Sequence, residues 1–424
     1  MTPDVSRRTV TTPRCAPPIC GPARPASCCT PTPQEVSEAL RYARAQDVPM
    51  AVRSGGHGSS GRATNDGGIV LDLGALDGVE VIDRERRLVR VGPGARWGDV
   101  AAALAPHGLA ISSGDFGGVG VGGLATAGGQ GFLGRSYGLT IDHLKGADVV
   151  LADGSLVRAD AEHHPDLFWA LRGAGANMGV VTSFDIEATE LGDVVFAQFA
   201  HDAADTAEFL QMWGKEMENS PRELTAVLIV AQQGGRRIAQ TYAVWAGDDT
   251  ERAIPALERF LSIAPVLQQS AQVVPYAIVM APAHHQHDGQ SLTRGRAALV
   301  DHVDADTAAL VAGLFDRRDT SFFQIRAVGG AINDVPANAT AYAHRTQNFS
   351  LFALVRRGHE EQMAQEWGKV PATGLYLSFE THDHAAALNK AFPPDTLERL
   401  RRVKGAYDPQ NVFRGNFPIR PTTA

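Results

Sequence analysis

The 424-residue sequence predicts an α+β protein in two parts. Three observations carry this. Helix and strand signals interleave along the whole chain, glycine gathers in clusters before residue 190, and longer strands and helices with few glycines follow. With 44% hydrophobic and 20% charged residues the chain can bury a substantial core. Its 39 basic and 47 acidic residues give a net charge of −8, so there is no basic footprint for nucleic acid or an anionic membrane. No apolar run approaches a membrane span, and a small-molecule partner is expected.

Residues 1–33 hold all four cysteines (Cys15, Cys20, Cys28, Cys29) and eight of the 24 prolines. A disordered tail is expected there. Ser6-Arg7-Arg8-Thr9 resembles a twin-arginine export signal, but no apolar stretch follows it, and cytoplasmic residence is expected. The body of the chain has no thiol and therefore no disulfide framework, thiolate metal site or cysteine nucleophile.

Ordered structure is expected to begin at Thr32-Pro33-Gln34-Glu35, a capping box that starts a helix running to about Gln46. Strands 49–53 and 69–73 follow, then a hairpin of strands 79–82 and 88–91 around a charged turn. A short helix from Trp97 to Pro106 closes at Gly108. Ten glycines between Gly108 and Gly131 make that region too glycine-rich for a stable helix, so it reads as backbone that touches a ligand. Strand 147–151, helix 165–171 and strand 180–184 complete the first part. Strands 224–230 and 238–245 represent the second, and the last thirty residues return to loop chemistry that revisits the first part.

The turn Arg53-Ser54-Gly55-Gly56-His57-Gly58 follows an apolar strand and ends on one histidine. Glycines there let successive N–H groups form a nest for an anion such as a phosphate. Clusters at 55–58, 117–131 and 173–179 together suit a long diphosphate-containing ligand. Gly118-Val119-Gly120-Val121-Gly122-Gly123 also satisfies GxGxxG, with Asp142 about where a ribose-binding acid would lie. That fingerprint must open a good helix, and the further glycines in 124–131 argue against a nicotinamide site. His284, His285 and His287 lie between Pro282 and Gly289 and read as a solvated loop; no metal site is expected. His344 either lines a pocket or satisfies a buried hydrogen bond.

RSGGH at 53–57, GRATNDGGIVLDL at 61–73, VGVGG at 119–123, GFLGRSYGLTID at 131–142, DLFWALRGAGANMGVVTSF at 166–184 and YDPQNVFRGNFPI at 407–419 stand in order along the chain. Together they closely resemble FAD-linked oxidases of the vanillyl-alcohol oxidase superfamily, nearest to its berberine-bridge-enzyme-like branch with the 6-hydroxy-D-nicotine-oxidase-type bacterial members. The resemblance implies an FAD-binding domain of two subdomains over 34–190, completed by 391–424, and a substrate domain over 191–390 with an antiparallel sheet backed by helices. It implies FAD bound covalently through His57, with no second link, because Phe116 stands where many relatives have cysteine. Relatives open with ordered structure ahead of the capping-box helix. The Pro- and Cys-rich opening departs from this, and the first strand of the domain is expected to be missing.

By the same resemblance the cofactor is held by Arg53, Ser54, Gly55, Gly56, Gly58 and Ser59 around His57, and by Gly114, Asp115, Gly118, Val119, Gly120, Gly122 and Gly123. Gly129, Tyr137, Gly138, Asp142, Gly175, Gly179, Val180, Val181 and Asn416 complete the set. Several relatives use a tyrosine in a Tyr-x-Asn-Tyr-like stretch, which here reads Tyr376-Leu377-Ser378-Phe379-Glu380. Tyr376 and Glu380, on one face of an expected strand, are the candidate proton-moving groups, and Tyr137 is a third candidate. The implied reaction is oxidation of an alcohol, amine or activated C–H group of a small molecule by hydride transfer to flavin, with O2 as acceptor and H2O2 as product. A flavin dehydrogenase using another acceptor, and a degenerate flavin-binding protein, share every cofactor motif.

Overall fold

Thr32 opens the first helix, Pro33–Ala45, as its sequence predicts: Thr32 Oγ1 accepts from the Glu35 N–H at 3.3 Å, and Glu35 Oε2 accepts from the Thr32 N–H at 2.8 Å. The computed structural model describes residues 8–11, 32–46, 48–281, 294–382 and 385–422. Val36, Ala39 and Leu40 form one face of the helix and pack on Leu71, Val150 and Phe413. Beside it, Ile69–Asp72 is the middle strand of a three-stranded parallel sheet, with Met50–Arg53 on one side and Arg8–Thr11 on the other. The expectation of a tail without structure, and of a missing first strand, is corrected at Arg8–Thr11. Three of its four residues are β-branched, and Ile69–Asp72 would otherwise present an unpaired edge.

The hairpin Val79–Asp83/Leu88–Val91 continues into a five-stranded antiparallel sheet through Val180–Glu187, Leu144–Val150 and Leu156–Asp160. Helix Trp97–Leu104 buries Trp97, Val100 and Leu104. The glycine-rich region departs from expectation, since Val121–Ala127 is a helix. Val121, Ala125 and Thr126 are buried, and a Cβ on Gly122 would meet Pro93 Cβ at 3.0 Å, so close packing outweighs the poor propensity of glycine.

The second part is a seven-stranded antiparallel sheet in the order Val266–Pro275, Asp193–Asp202, Arg236–Trp245, Leu224–Gln233, Phe322–Ala327, Phe349–Val355, Arg294–Val300. Alternation sets its two faces. Leu224, Ala226, Leu228 and Val230, with Phe323, Ile325, Leu351 and Ala353, fill a core beneath helices Thr206–Glu218, Thr250–Leu261, Ala305–Asp316 and Glu360–Trp367. The opposite face presents two cross-strand rows: Gln240, Ile229, Gln324 and Phe352 in one, Tyr242, Val227, Arg326 and Ser350 in the other. The first row is largely half-buried.

The last thirty residues are not all loop, for Pro394–Tyr407 is a helix. Beyond it the chain does return to the first part. Lys404, fully enclosed, donates to Asp408 Oδ2 at 2.7 Å and to the carbonyls of Asn177 at 2.6 Å and Phe413 at 2.8 Å, while Asn177 Oδ1 accepts from the Ile419 N–H at 3.0 Å.

His201 lies on the helix-facing side among Phe199 and Phe209, and burial lowers its pKa; burial does the same for His344. Unfolded imidazoles take up protons near the ordinary value of about 6.5, before the folded ones do. Stability is therefore expected to fall as pH drops from about 6.5 through the lowered values, by at most about 1.4 kcal/mol per pH unit for each group. Melting temperatures between pH 7 and 5 should show this slope, and His201→Leu should flatten it. An unchanged slope would refute the assignment to His201.

Candidate functional site

The turn at 55–58 and the loop at 117–123 lie against each other. A Cβ on Gly120 would come within 2.6 Å of Gly55 Cα, and one on Gly55 within 2.6 Å of Gly120 Cα, so only two glycines allow this approach. Loop 117–121 is held to the start of helix Trp97–Leu104 by Trp97 N–H to Val119 O (3.0 Å), Gly98 N–H to Gly117 O (2.9 Å) and Val121 N–H to Ala95 O (2.9 Å). Arg96 Nη1 then donates to both Gly55 O and Gly118 O at 2.7 Å, clamping the two loops together. Ser54 Oγ donates to Pro93 O and accepts from the Gly122 N–H.

Among the described residues, the N–H groups of Gly55, Gly56, Gly58, Ser59, Gly118 and Gly120 enter no helix, ladder or turn hydrogen bond. That concentration of backbone donors fits a diphosphate. Gly56 has φ +65, the left-handed region that swings the turn outward and leaves His57 exposed. The His57 ring stands 5.2 Å from that of Phe116.

A second group of residues gathers where the two parts meet. The Gly129 N–H donates to Tyr376 Oη at 3.1 Å, and Gln130 Nε2 donates to Tyr342 Oη at 3.0 Å. The rings of Tyr342 and Tyr376 are 6.0 Å apart, and Tyr376 and Phe379 are 5.2 Å apart. Burial raises both phenol pKa values, so each is a neutral hydroxyl at pH 7. Arg326 binds Asp115 Oδ2 through Nε at 2.7 Å, with the Phe379 ring centroid 4.0 Å from its guanidinium carbon.

Several expected site residues have other partners. The strand expected at 376–380 is instead a single 3-10 turn, Leu377–Phe379, which separates Tyr376 from Glu380. Glu380 lies at the sheet edge, its Oε2 accepting from the Ala297 N–H, its Oε1 from the His382 N–H, with Arg296 at 3.8 Å. The edge strand Arg294–Val300 leaves N–H groups that this segment satisfies. Tyr137 is half-buried at the end of helix Gly134–Tyr137, its N–H donating to the Leu133 carbonyl at 2.9 Å and its carbonyl bonded to His143 Nε2 at 2.7 Å.

Asp142 forms a buried pair with Arg345 (2.7 Å) and caps Leu139; it is not placed as a ribose ligand after a parallel βαβ unit. Arg53 pairs with Asp72. Gly114 backs Gly131, Gly138 accepts from Ser112 Oγ, and Gly179, Val180 and Val181 are packed at the start of their strand. Gly175 lies in the turn Gly175–Asn177, and the Asn416 carbonyl accepts from Asn177 Nδ2. His344 satisfies a buried bond to the Ala391 carbonyl, and His284, His285 and His287 lie outside the described residues. Arg96, Gln130, Arg326 and Tyr342 went unnoticed in the sequence, because their partners are remote along the chain and no local spacing marks them.

Residues 26–160 match the family model described as FAD binding domain, and residues 376–420 the one described as berberine and berberine like. The chain is 31% identical over 415 residues to the (R)-6-hydroxynicotine oxidase of Paenarthrobacter nicotinovorans, covering 91% of this chain and 89% of that one. Its structure is similar to 6-hydroxy-D-nicotine oxidase from Arthrobacter nicotinovorans, with TM-score 0.80, 28% identity and coverage of 92% of this chain and 90% of that one. Xylooligosaccharide oxidase from Myceliophthora thermophila, solved with xylobiose, is also similar, at TM-score 0.80, 25% identity and coverage of 93% and 91%. No helix among the described residues is long and apolar enough to cross a membrane. Two clamped glycine loops, a C-terminal segment that closes the same part, and likeness over 91% of the chain to an oxidase agree: this chain belongs to the berberine-bridge-enzyme-like family of FAD-linked oxidases.

Proposed function

We propose that the protein holds FAD through a covalent bond to His57 and oxidises an alcohol, amine or activated C–H carbon of a small molecule, with dioxygen as electron acceptor. The observation that carries the reading is the exposed His57 on a glycine turn that packs directly against a second glycine loop. When bound, FAD supplies the hydride acceptor, and its return to the oxidised form with O2 yields H2O2.

His57 would hold the flavin through a C–N bond to its 8α-carbon, an unprotonated imidazole being a competent nucleophile; that bond would replace one imidazole N–H and one 8α C–H, and the two hydrogens would pass to O2 as H2O2. Phe116, whose ring faces His57, has no sulfur for a second link. Arg96 keeps the two loops at the separation that presents their amides to the diphosphate. Tyr376, a neutral phenol fixed by the Gly129 N–H, holds its proton at Oη and can orient a substrate oxygen or nitrogen through it. The relatives named for nicotine and sugar oxidation support a small-molecule substrate.

The test is the visible spectrum before and after acid precipitation, beside a His57→Ala variant. Yellow colour should stay with the wild-type pellet and be released from the variant. Flavin freed equally from both would refute the tether. Rapid reoxidation in air after anaerobic reduction is expected; slow reoxidation would favour a dehydrogenase.

A further inference from the structure

The guanidinium of Arg326 is more constrained than an interface ion pair requires. Arg326 projects from strand Phe322–Ala327 onto the face of the seven-stranded sheet turned toward the first part, where its row neighbours Val227 and Ser350 are also buried, opposite to Phe323 and Ile325 in the helix-backed core. It is 7% exposed. Nε and Nη2 are taken up by Asp115, at 2.7 and 3.4 Å, and the Phe379 ring covers one face of the group. Nη1 is buried and has no hydrogen-bond partner. A buried donor left unpaired is costly, and here the sheet, carboxylate and ring hold it in a fixed direction.

Its surroundings define what could pair with it. Asp115 lies beside Phe116, whose ring is 5.2 Å from that of His57, so Arg326 sits where the buried row of the sheet meets the loop at 115–118. The next row across that face is Gln240, Ile229, Gln324 and Phe352, all uncharged. The Asp115 carboxylate already balances the guanidinium, so the pair is neutral as a unit. An added anion would leave a net negative charge in a buried place, and an ammonium would meet N–H donors pointing at it. A neutral oxygen acceptor satisfies Nη1 and leaves no charge unbalanced.

We infer that Arg326 Nη1 is a specificity element of the substrate site, selecting small molecules with a neutral acceptor oxygen (carbonyl, ether or hydroxyl) and disfavouring ammonium-bearing ones. This rests on the flavin-oxidase reading above and narrows its substrate class.

The experiment titrates the flavin-loaded protein with benzamide, benzoate and benzylammonium at pH 7, reading the change in visible flavin absorption. Benzamide should bind wild type more tightly than the other two. Arg326→Lys keeps the charge opposite Asp115 but loses the directed Nη1 donor, and should weaken benzamide binding by roughly tenfold or more. Asp115→Asn leaves the guanidinium unbalanced, and should move the preference from benzamide to benzoate. Melting curves establish folding of each variant, and if Arg326→Lys fails to fold, the preference switch in Asp115→Asn decides.

Equal benzamide affinity in wild type and Arg326→Lys, no preference switch in Asp115→Asn, or benzylammonium binding as tightly as benzamide would overturn the inference; so would a flavin spectrum in wild type that benzamide leaves unchanged. A protein that takes up no flavin would instead refute the reading beneath it, so the two failures are distinguishable.

Discussion

Gly120→Ala is expected to abolish flavin loading. The new methyl would sit within 2.6 Å of Gly55 Cα, against backbone that has no rotamer to change, so the two loops must part. Overpacking of this kind costs about 1–3 kcal/mol in stability. The larger effect is on function, because separation breaks at least one of the two Arg96 bonds and splays the amides that would hold the diphosphate. Absorbance near 450 nm per mole of purified protein should fall to background while the fold persists by circular dichroism. Gly78→Ala is the control, since nothing lies within 4 Å of its Cβ. Full flavin content in Gly120→Ala would show that loop contact is irrelevant to the cofactor.

The second large effect is expected at Lys404. Burial lowers its pKa and Asp408 opposes that, so the charged form persists within a shell of one carboxylate and two carbonyls. Lys404→Met would leave Asp408, also fully buried, without its counter-charge, at a cost of about 3–5 kcal/mol. Asp408 still accepts from the Val412 and Phe413 N–H groups, which is too little to stabilise a buried anion. Protease sensitivity should rise first in residues 405–422. The Lys404→Met/Asp408→Asn double variant should recover part of the lost stability, because the unpaired charge is gone. A double variant no more stable than the single would argue that packing of the lysine stem, and not charge, is at stake.

Elements with local signatures were legible in the sequence. Thr32 and Glu35 cap within one turn, and the charged turn at 83–86 needs only its flanking strands. Residues whose environment comes from afar were not. Val121–Ala127 is helical against its propensity because Pro93 and Ser54 close over Gly122, about thirty and seventy residues earlier. Tyr376 and Glu380 look alike in an alternating pattern, but the turn at Leu377–Phe379 sends one to Gly129 and the other to the sheet edge. The glycine turn at 55–58 shows in the sequence as a turn, whereas Arg96, one cation ahead of a helix, announces nothing until Gly55 and Gly118 converge on it.

The return of the C-terminal segment has a consequence for how the molecule is made. Phe413 fills the core beside Val36 and Leu40, and Ile419 binds Asn177, so a core opened at residue 36 is closed only by residues about 380 positions later. Synthesis at roughly 5–20 residues per second keeps that apolar surface waiting while the whole seven-stranded sheet is translated. A chain truncated before residue 413 would therefore emerge with an open core beside Val36 and Leu40 and a strong tendency to aggregate.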